Sequence, residues 1–378
     1  MKNYATTIAA SAAIVCAIVG CEPSDGAKEL ELGQKAYEVH DLKKAEKLFA
    51  ECVRLAPGNV DALLYLARVK LEAGDIPAAR DWVDKAAAAA GDDVDVKLVA
   101  AQVAWREGDF AKSAAAYSSV ANDAKLSPEL RAQGWTGFGI SEMAGKRHHF
   151  ARIAFLRAIR LNRREASAWY HLGLLYRDAF GYYEAAKEQF EIFVRLEASA
   201  SPRVQKVSRA VIPDLTAQIN REAANRPGVS KRDSAACAAA LAKADAAKKK
   251  GNLRNAREAY QAALSADPLS YPAALGLAEA WAKTDSTKAG QTKALENYKL
   301  ACTLRPGAIS TFLTAGELAA RLGYHAQAAE TFSRAVAASP TSIMAIDGLI
   351  RALQRTGGHK AEARAYQLYR ESIPLKRK

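Results

Sequence analysis

The chain has 378 residues, half of them hydrophobic but only 8% aromatic, and a formal net charge of +13 at neutral pH. That length is enough for one long domain or two ordinary ones. Alanine supplies much of the apolar content, and no stretch shows the strict alternation of half-buried β-strands. Because alanine-rich segments with few internal prolines favour helices, the composition predicts an all-α protein and argues against a fold built on β-sheets.

The N-terminus carries an apolar run from Tyr4 to Val19, preceded by Lys2 and followed by a polar stretch that opens with Glu22. The run has 16 residues and includes two threonines and a serine, whereas a membrane-spanning helix needs about 20 apolar residues. A positive start, an apolar middle and small residues before a polar stretch are typical of a cleaved export signal. We therefore predict an export signal at residues 1–20.

The residues Ile18, Val19, Gly20 and Cys21 resemble the lipobox of bacterial lipoproteins. In that family the cysteine thiol is diacylated, the peptide is cut before the cysteine, and the new amino terminus usually gains a third acyl chain. The resemblance implies that Cys21 is lipidated and that residues 21–25 form a short tether, because two or three acyl chains anchor a protein stably. The alternative is an ordinary small residue near a signal cleavage site.

The residue after the cysteine indicates in which membrane the protein is anchored. In enterobacterial lipoproteins an aspartate there often retains the protein at the inner membrane. Glu22 stands here instead, which favours the outer membrane of a bacterial cell envelope, facing the periplasm. An exported protein rarely meets nucleic acid, so the positive charge indicates anionic lipid headgroups, cell-wall polymers or an acidic protein as the partner.

Turn residues recur along the chain at intervals of 34. Asp41, Asp75 and Asp109 follow one another at this interval, and Gly323 and Gly357 are again 34 residues apart. After each turn a small residue, an aromatic or branched residue and a second small residue come in the same order. The stretches with this order are Ala45-Phe49-Cys52, Ala79-Val83-Ala86, Ser113-Tyr117-Val120, Ala151-Phe155-Ala158, Ala256-Tyr260-Ala263, Ala294-Tyr298-Ala301 and Ala328-Phe332-Ala335.

The helix before each turn has its own pattern. In WYHLGLLY, the residues Trp169, Leu172, Gly173 and Tyr176 resemble the tetratricopeptide signature. Weaker copies keep a small residue where the first helix crosses its partner, so that the two backbones approach closely. These small residues are Gly33, Ala67, Ala101, Gly139, Ala244, Ala278 and Gly316. The resemblance covers nearly all of the mature chain and implies a right-handed α-solenoid of about nine tetratricopeptide helix hairpins that binds proteins.

The repeats form two predicted arrays, five repeats over residues 26–200 and four over residues 237–376. Residues 201–236 do not fit the motif, because Pro213 interrupts an apolar helical stripe and NRPGVSKRDS is typical of a linker. We predict a capping helix there and a joint near 225–234. Either the arrays move relative to one another or they stack as one superhelix. The predicted repeats are 26–59, 60–93, 94–127, 132–165, 166–200, 237–270, 271–308, 309–342 and 343–376.

A basic segment runs from residue 143 to residue 164 and contains no acid. Its cations are Lys146, Arg147, Arg152, Arg157, Arg160, Arg163 and Arg164. Helical spacing places Arg157, Arg160 and Arg164 on a face opposite the predicted buried side. This basic face is either a solvated outer surface or a docking patch for anionic lipid or an acidic protein.

A solenoid of this kind leaves an extended wall of first helices, which suits holding a peptide better than enclosing a reaction. The predicted partner-binding residues on this wall are Arg68, Trp105, Arg106, Tyr170, Arg177, Arg321, Arg351 and Arg355, beside Lys248, Glu279 and Glu317. Cations outnumber acids there, which suits an extended peptide or helix that carries carboxylates. Related domains that clamp a chaperone's carboxyl terminus use Lys and Asn where Gln34, Arg68 and Gln102 stand, so that ligand is not supported.

The sequence gives little support for catalysis. It contains no GxSxG, no phosphate-binding GxxxxGK[ST] and no HExxH, so we predict no enzymatic activity, no cofactor and no metal. Cys52, Cys237 and Cys302 are expected to be small buried residues, not a disulfide framework. Five histidines fall at or just after inter-helix turns and are expected to be solvated: His40, His148, His149, His325 and His359.

The sequence thus favours a non-catalytic, lipid-anchored scaffold that binds protein partners in a bacterial envelope complex for secretion, assembly or polysaccharide export. A second hypothesis is an accessory factor of cell-wall or polysaccharide enzymes that binds an anionic polymer through the basic face. A third is a soluble cytoplasmic adaptor, which would require Cys21 to remain unmodified.

Overall fold

Helices joined by short turns make up the secondary structure of the described chain. The computed structural model describes residues 26–197, 201–225, 229 and 232–374. The predicted export signal at 1–20, the tether at 21–25 and the lipidation site Cys21 lie outside these residues. None of the described helices is long and apolar enough to cross a membrane.

The chain divides into two compact units, residues 1–146 and 147–378. In the first unit each helix packs against the next one along the chain. Its helices are α1 (Ala27–Glu38), α2 (Leu42–Leu55), α3 (Val60–Ala73), α4 (Ile76–Ala90), α5 (Val94–Arg106), α6 (Phe110–Asn122) and α7 (Pro128–Ala144).

The second unit contains the remaining helices and two π-helical turns, Tyr176–Phe180 and Val207–Val211. Helix α8 packs against α9 and also against α20, the last helix of the chain. The helices are α8 (His148–Leu161), α9 (Ala166–Leu175), α10 (Tyr183–Leu196), α11 (Pro202–Lys206), α12 (Ile212–Ala224), α13 (Ser234–Lys249), α14 (Leu253–Ala266), α15 (Tyr271–Thr284), α16 (Lys288–Leu304), α17 (Ile309–Arg321), α18 (His325–Ala338), α19 (Ile343–Thr356) and α20 (Lys360–Glu371).

The division between the units differs from the predicted joint near 225–234. The boundary between the units falls after residue 146, inside the predicted fourth repeat, so α7 and α8 belong to different units. Helix α8 also packs against the last repeat, a contact that the repeat pattern does not indicate.

Pro213 does not interrupt the helix that follows the first five repeats, so that expectation was wrong. The chain is helical from Pro202 to Ala224, and the π-helical turn Val207–Val211 lies just before the proline. Proline has no backbone N–H to donate, and a π-turn shifts the hydrogen-bond register so that the helix continues. Helix α12 packs against α10, and its Leu215 is buried, which is the contact a capping helix makes.

The aspartates spaced by 34 residues are the N-caps of the second helices in the first unit. The side chain of Asp109 accepts a hydrogen bond from the backbone N–H of Lys112 at 2.9 Å, and Asp75 caps α4 in the same way. Before them, Gly74 and Gly108 have φ of +81° and +83°, a conformation that costs glycine little. The period in the sequence is therefore a repeated turn between first and second helix.

The small residues of the first helices face aromatic rings of the second helices. A Cβ on Gly33 would lie 2.6 Å from the Phe49 ring, and one on Gly316 would lie 2.8 Å from the Phe332 ring. Phe49 is fully buried, so the ring has no free space to move into. Cysteines take part in this packing as small buried residues, as predicted: Cys52, Cys237 and Cys302 are buried and free.

The packing predicts that one methyl group added to a first helix strongly lowers the stability of the fold. A Cβ on Gly348 of α19 would lie 2.4 Å from the Phe332 ring, so Gly348→Ala should lower the free energy of unfolding by about 1–3 kcal/mol. Gly307→Ala is the matched control, because no atom lies within 4 Å of its Cβ position. Urea denaturation followed by circular dichroism measures both, and equal midpoints would contradict the packing argument.

Candidate protein-binding surfaces

Three of the predicted partner-binding residues lie in the first unit. The guanidinium of Arg68 lies over the Tyr65 ring at 5.3 Å and 4.0 Å from the Asp95 carboxylate. Trp105, at the end of α5, is 37% exposed, and Arg106 beside it is exposed. Trp105 and Arg106 therefore offer an aromatic ring and a cation side by side, whereas Arg68 is already engaged.

Tyr170 and Arg177, in the second unit, have partners within their own unit. The Tyr170 ring packs against Phe193 of α10 with 5.1 Å between centroids, and Arg203 of α11 lies over it at 5.0 Å. Arg177 lies in the π-helical turn and pairs with Asp178, with 2.5 Å between Nε and Oδ1. The capping segment thus covers Tyr170, which the repeat register alone could not reveal.

Arg321 and Arg355 are exposed at the ends of α17 and α19, one repeat apart. Lys249 and Lys283 occupy the equivalent place at the ends of α13 and α15 and are also exposed. We call these four residues the cation column. None of the four forms an ion pair with another described residue. Lys249 and Lys283 were not among the predicted partner-binding residues, although counting five residues on from the small residues Ala244, Ala278 and Gly316 finds them with Arg321.

Acidic residues lie one helical turn before three of these cations, and two of the acids are engaged. Asp245 accepts a hydrogen bond from the Tyr260 hydroxyl at 2.9 Å, and Glu279 pairs with Lys248 at 2.9 Å. In the last repeat the same position holds a cation, the exposed Arg351. The ends of these four first helices therefore present positive charge at intervals of one repeat.

Arg152 of the basic segment is fully buried, so neither a solvated surface nor a docking patch describes it. Its Nε donates to the Tyr366 hydroxyl at 2.6 Å, and its Nη1 donates to the Ser333 hydroxyl at 2.8 Å. The guanidinium also lies over the Phe180 ring at 4.8 Å. The partners come from α20, α18 and the π-helical turn, and all are uncharged.

The predicted basic face of α8 turns in part toward the last repeat. Arg160 donates to the backbone carbonyl of Ser372, and burial, with a smaller effect of Arg160, lowers the pKa of Arg157. Arg164 is exposed. The opposite side of the helix is buried as predicted, with Ala151, Phe155 and Ala158 at 0% exposure. Arg160 thus bonds the C-terminal repeat, whereas Arg164, at the end of the segment, stays in solvent.

His149 is half-buried, as are His148, His325 and His359, so the expectation of solvated turn histidines was wrong for these four. The His149 ring packs edge-on against Phe180 at 5.5 Å and Tyr366 at 5.8 Å between centroids. Burial, followed by the charges of Arg152 and two other histidines, lowers its pKa to about 3. Over the part of the chain that the structure describes, no three metal-ligating side chains come together.

The geometry of the Arg152 contact predicts that a lysine cannot replace this arginine. One ammonium cannot reach both Tyr366 and Ser333 as the planar fork does, so Arg152→Lys should lower the free energy of unfolding by about 2–4 kcal/mol. The exposed Arg163 of the same segment gives the control Arg163→Lys, expected to change it by less than about 0.5 kcal/mol. Similar urea midpoints for the two variants would show that the contact does not stabilise the fold.

Comparison with known proteins gives three matches to family models described as "Tetratricopeptide repeat". They cover residues 36–103, 166–198 and 241–309. No curated protein matches the sequence significantly.

Solved structures with similar folds include pilF of Pseudomonas aeruginosa, at 16% identity and a TM-score of 0.41, covering 68% of this chain and 97% of that one. PilW, a type IV pilus biogenesis factor, has 15% identity and a TM-score of 0.42, covering 66% and 96%. The Cut9–Hcn1 hetero-tetramer has 14% identity and a TM-score of 0.36, covering 91% and 79%. Likeness at this level says nothing about what this chain binds.

Proposed function

Because this chain is a tetratricopeptide repeat protein, we propose that it is a non-catalytic scaffold that holds protein partners against the exposed ends of its first helices. Repeats of this family generally bind proteins. The observation that carries the proposal is the cation column, in which Lys249, Lys283, Arg321 and Arg355 stay exposed and free of ion pairs with described residues. The partner it suits is acidic.

The regular spacing of the cations supports an extended ligand over a compact one. Helices α17 and α19 pack against each other, and packed helices lie about 8–10 Å apart, so the helices that carry Arg321 and Arg355 are separated by roughly that distance. An acidic peptide that crosses the first helices can meet several of them. A single exposed ion pair contributes at most about 1 kcal/mol, so selection of the partner depends on several repeats acting together.

We also propose that the scaffold is a lipoprotein of the bacterial cell envelope, anchored through Cys21 in the outer membrane and serving a secretion, assembly or polysaccharide system. The support is the sequence Ile18-Val19-Gly20-Cys21 with Glu22 after it. Helix α1 begins at Ala27, so the intervening residues can span about 20 Å at most. The first repeat would then work close to the membrane surface.

Binding of an anionic polymer through the basic face is the weaker alternative. Arg157 is half-buried and Arg160 bonds Ser372, so this face offers a polymer fewer free charges than the sequence suggested. The cation column, by contrast, is exposed along four repeats.

Charge reversal of the column tests the scaffold proposal. Lys283→Glu, Arg321→Glu and Arg355→Glu together should lower the yield of crosslinked partner recovered from membranes at least tenfold, because they place like charges opposite an acidic ligand. The matched control reverses three exposed cations on second helices, Arg254, Lys299 and Lys360, with the same change in net charge.

The helix dipole by itself favours a cation in the last turn of a helix, so thermal melting of both triple variants is measured alongside. Partner binding is measured well below the melting midpoint of either variant, and the proposal requires the folded column variant to lose its partner while the folded control keeps it. Equal partner yields from the two variants would contradict it.

The anchoring proposal predicts an acylated cysteine as the first residue of the mature protein. Intact-mass spectrometry of protein purified from membranes should find Cys21 as the first residue, carrying two or three acyl chains. Cys21→Ser should release the protein from the membrane fraction, because the acyl chains supply the anchoring free energy. An amino terminus at Met1, or an unacylated residue there, would exclude a lipoprotein.

A further inference from the structure

The contact between α8 and α20 centres on one buried hydroxyl group. Both Nε and Nη2 of Arg152 donate to Oη of Tyr366, and both residues are fully buried. A phenolic oxygen has two lone pairs and one proton. The guanidinium uses both lone pairs, so this hydroxyl can take part in one more hydrogen bond only as a donor.

His149 is the acceptor for that proton. Its Nδ1 lies 3.2 Å from the Tyr366 hydroxyl oxygen. Nδ1 must therefore carry a lone pair, which places the proton of the neutral ring on Nε2. A doubly protonated ring would direct a third N–H at an oxygen that has no lone pair left, and it would set a second cation beside Arg152.

We propose that this contact is a pH-sensitive clasp: helix α8 binds α18 and α20 only while His149 is neutral, and protonation of His149 releases the last two repeats from α8. The clasp consists of Arg152, His149, Tyr366 and Ser333. Opening it exposes the buried Arg152 and frees Arg160 from Ser372, so acidification makes two more cations of the basic segment available.

The charged groups around His149 do not offset its protonation. On α8 the neighbours are His148 and Arg152, and His359 approaches from the turn before α20. The carboxylates in this region have other partners. Oε1 of Glu362 lies 3.5 Å from Nδ1 of His359, and Oε1 of Glu330 lies 3.0 Å from Nε of Arg334. Among the described residues, no carboxylate lies within ion-pair distance of His149.

The sign of the pH dependence follows from the lowered pKa of His149. Burial is the largest cause, and Arg152, His359 and His148 add to it, giving a value of about 3 in the closed form. A histidine in water has a pKa of about 6.5. The closed form therefore binds fewer protons than the open form, so closure is complete above about pH 6.5 and weakens as the pH falls toward 3. Between pH 7.5 and 5 the equilibrium should shift roughly 30-fold toward the open form.

Distances between two spin labels, measured by double electron–electron resonance, test the clasp directly. Labels carried by an unnatural amino acid at positions 163 and 368 of the full chain report on α8 and α20, since Arg163 and Leu368 are both exposed. At pH 7.5 we expect a single short distance, and toward pH 5 a growing population at longer distance. A distribution that does not change between pH 7.5 and 4.5 would overturn the proposal, and so would loss of helical circular dichroism over the same range.

Two variants separate the clasp from general acid sensitivity. His149→Gln keeps an acceptor for the Tyr366 proton but does not titrate, so it should stay closed at pH 5. His171→Gln is the matched control, because His171 is also half-buried and has a pKa lowered to about 4 by burial, but its ring forms hydrogen bonds only within α9, to Ser167. It should open like the unmodified protein. Opening of His149→Gln at the same pH as the unmodified protein would refute the assignment.

A third variant removes the shared hydroxyl. Tyr366→Phe removes the acceptor of two Arg152 hydrogen bonds, so the open form should already appear at pH 7.5 and change less with pH. A Tyr366→Phe chain that remained closed at pH 7.5 and opened at pH 5 like the unmodified protein would show that the hydroxyl does not link His149 to Arg152.

Discussion

The close approach of a small residue on each first helix to an aromatic ring on its second helix is the constraint on which the chain depends. Gly33 faces Phe49 and Gly316 faces Phe332 at distances that leave no room for a Cβ. Each pair sets how its two helices cross, so equivalent residues of successive repeats reach equivalent places. The cation column is a consequence of this repeated geometry, because its four residues occupy the same position in four successive repeats.

Local features of the fold could be predicted from the sequence. The repeat period predicted the turns at which aspartates such as Asp109 cap the second helices. Helical spacing predicted which helix faces are buried, such as the face that carries Phe155. These features depend on neighbours within one repeat or the adjoining one. Exposure of Arg321 and Arg355 followed from the same register.

Contacts between distant repeats could not be predicted in that way. Arg152 and Tyr366 are 214 residues apart, and no repeat pattern indicates that α8 meets α20. His149 beside a turn and Arg152 in a basic segment suggested solvent, although contacts with other repeats bury Arg152 fully and His149 in part. Tyr170 was misjudged for a related reason, because the segment that covers it lies outside the repeat motif.

The central claim is that partners bind along the first-helix ends of the second array. Amine-reactive crosslinking of the native complex, read by mass spectrometry, tests it most directly, since lysines lie on both helices of these repeats. We predict that partner crosslinks map to Lys249 and Lys283 of the cation column and spare Lys299 and Lys360 of the second helices. Crosslinks that map only to Lys299 and Lys360 would contradict the account.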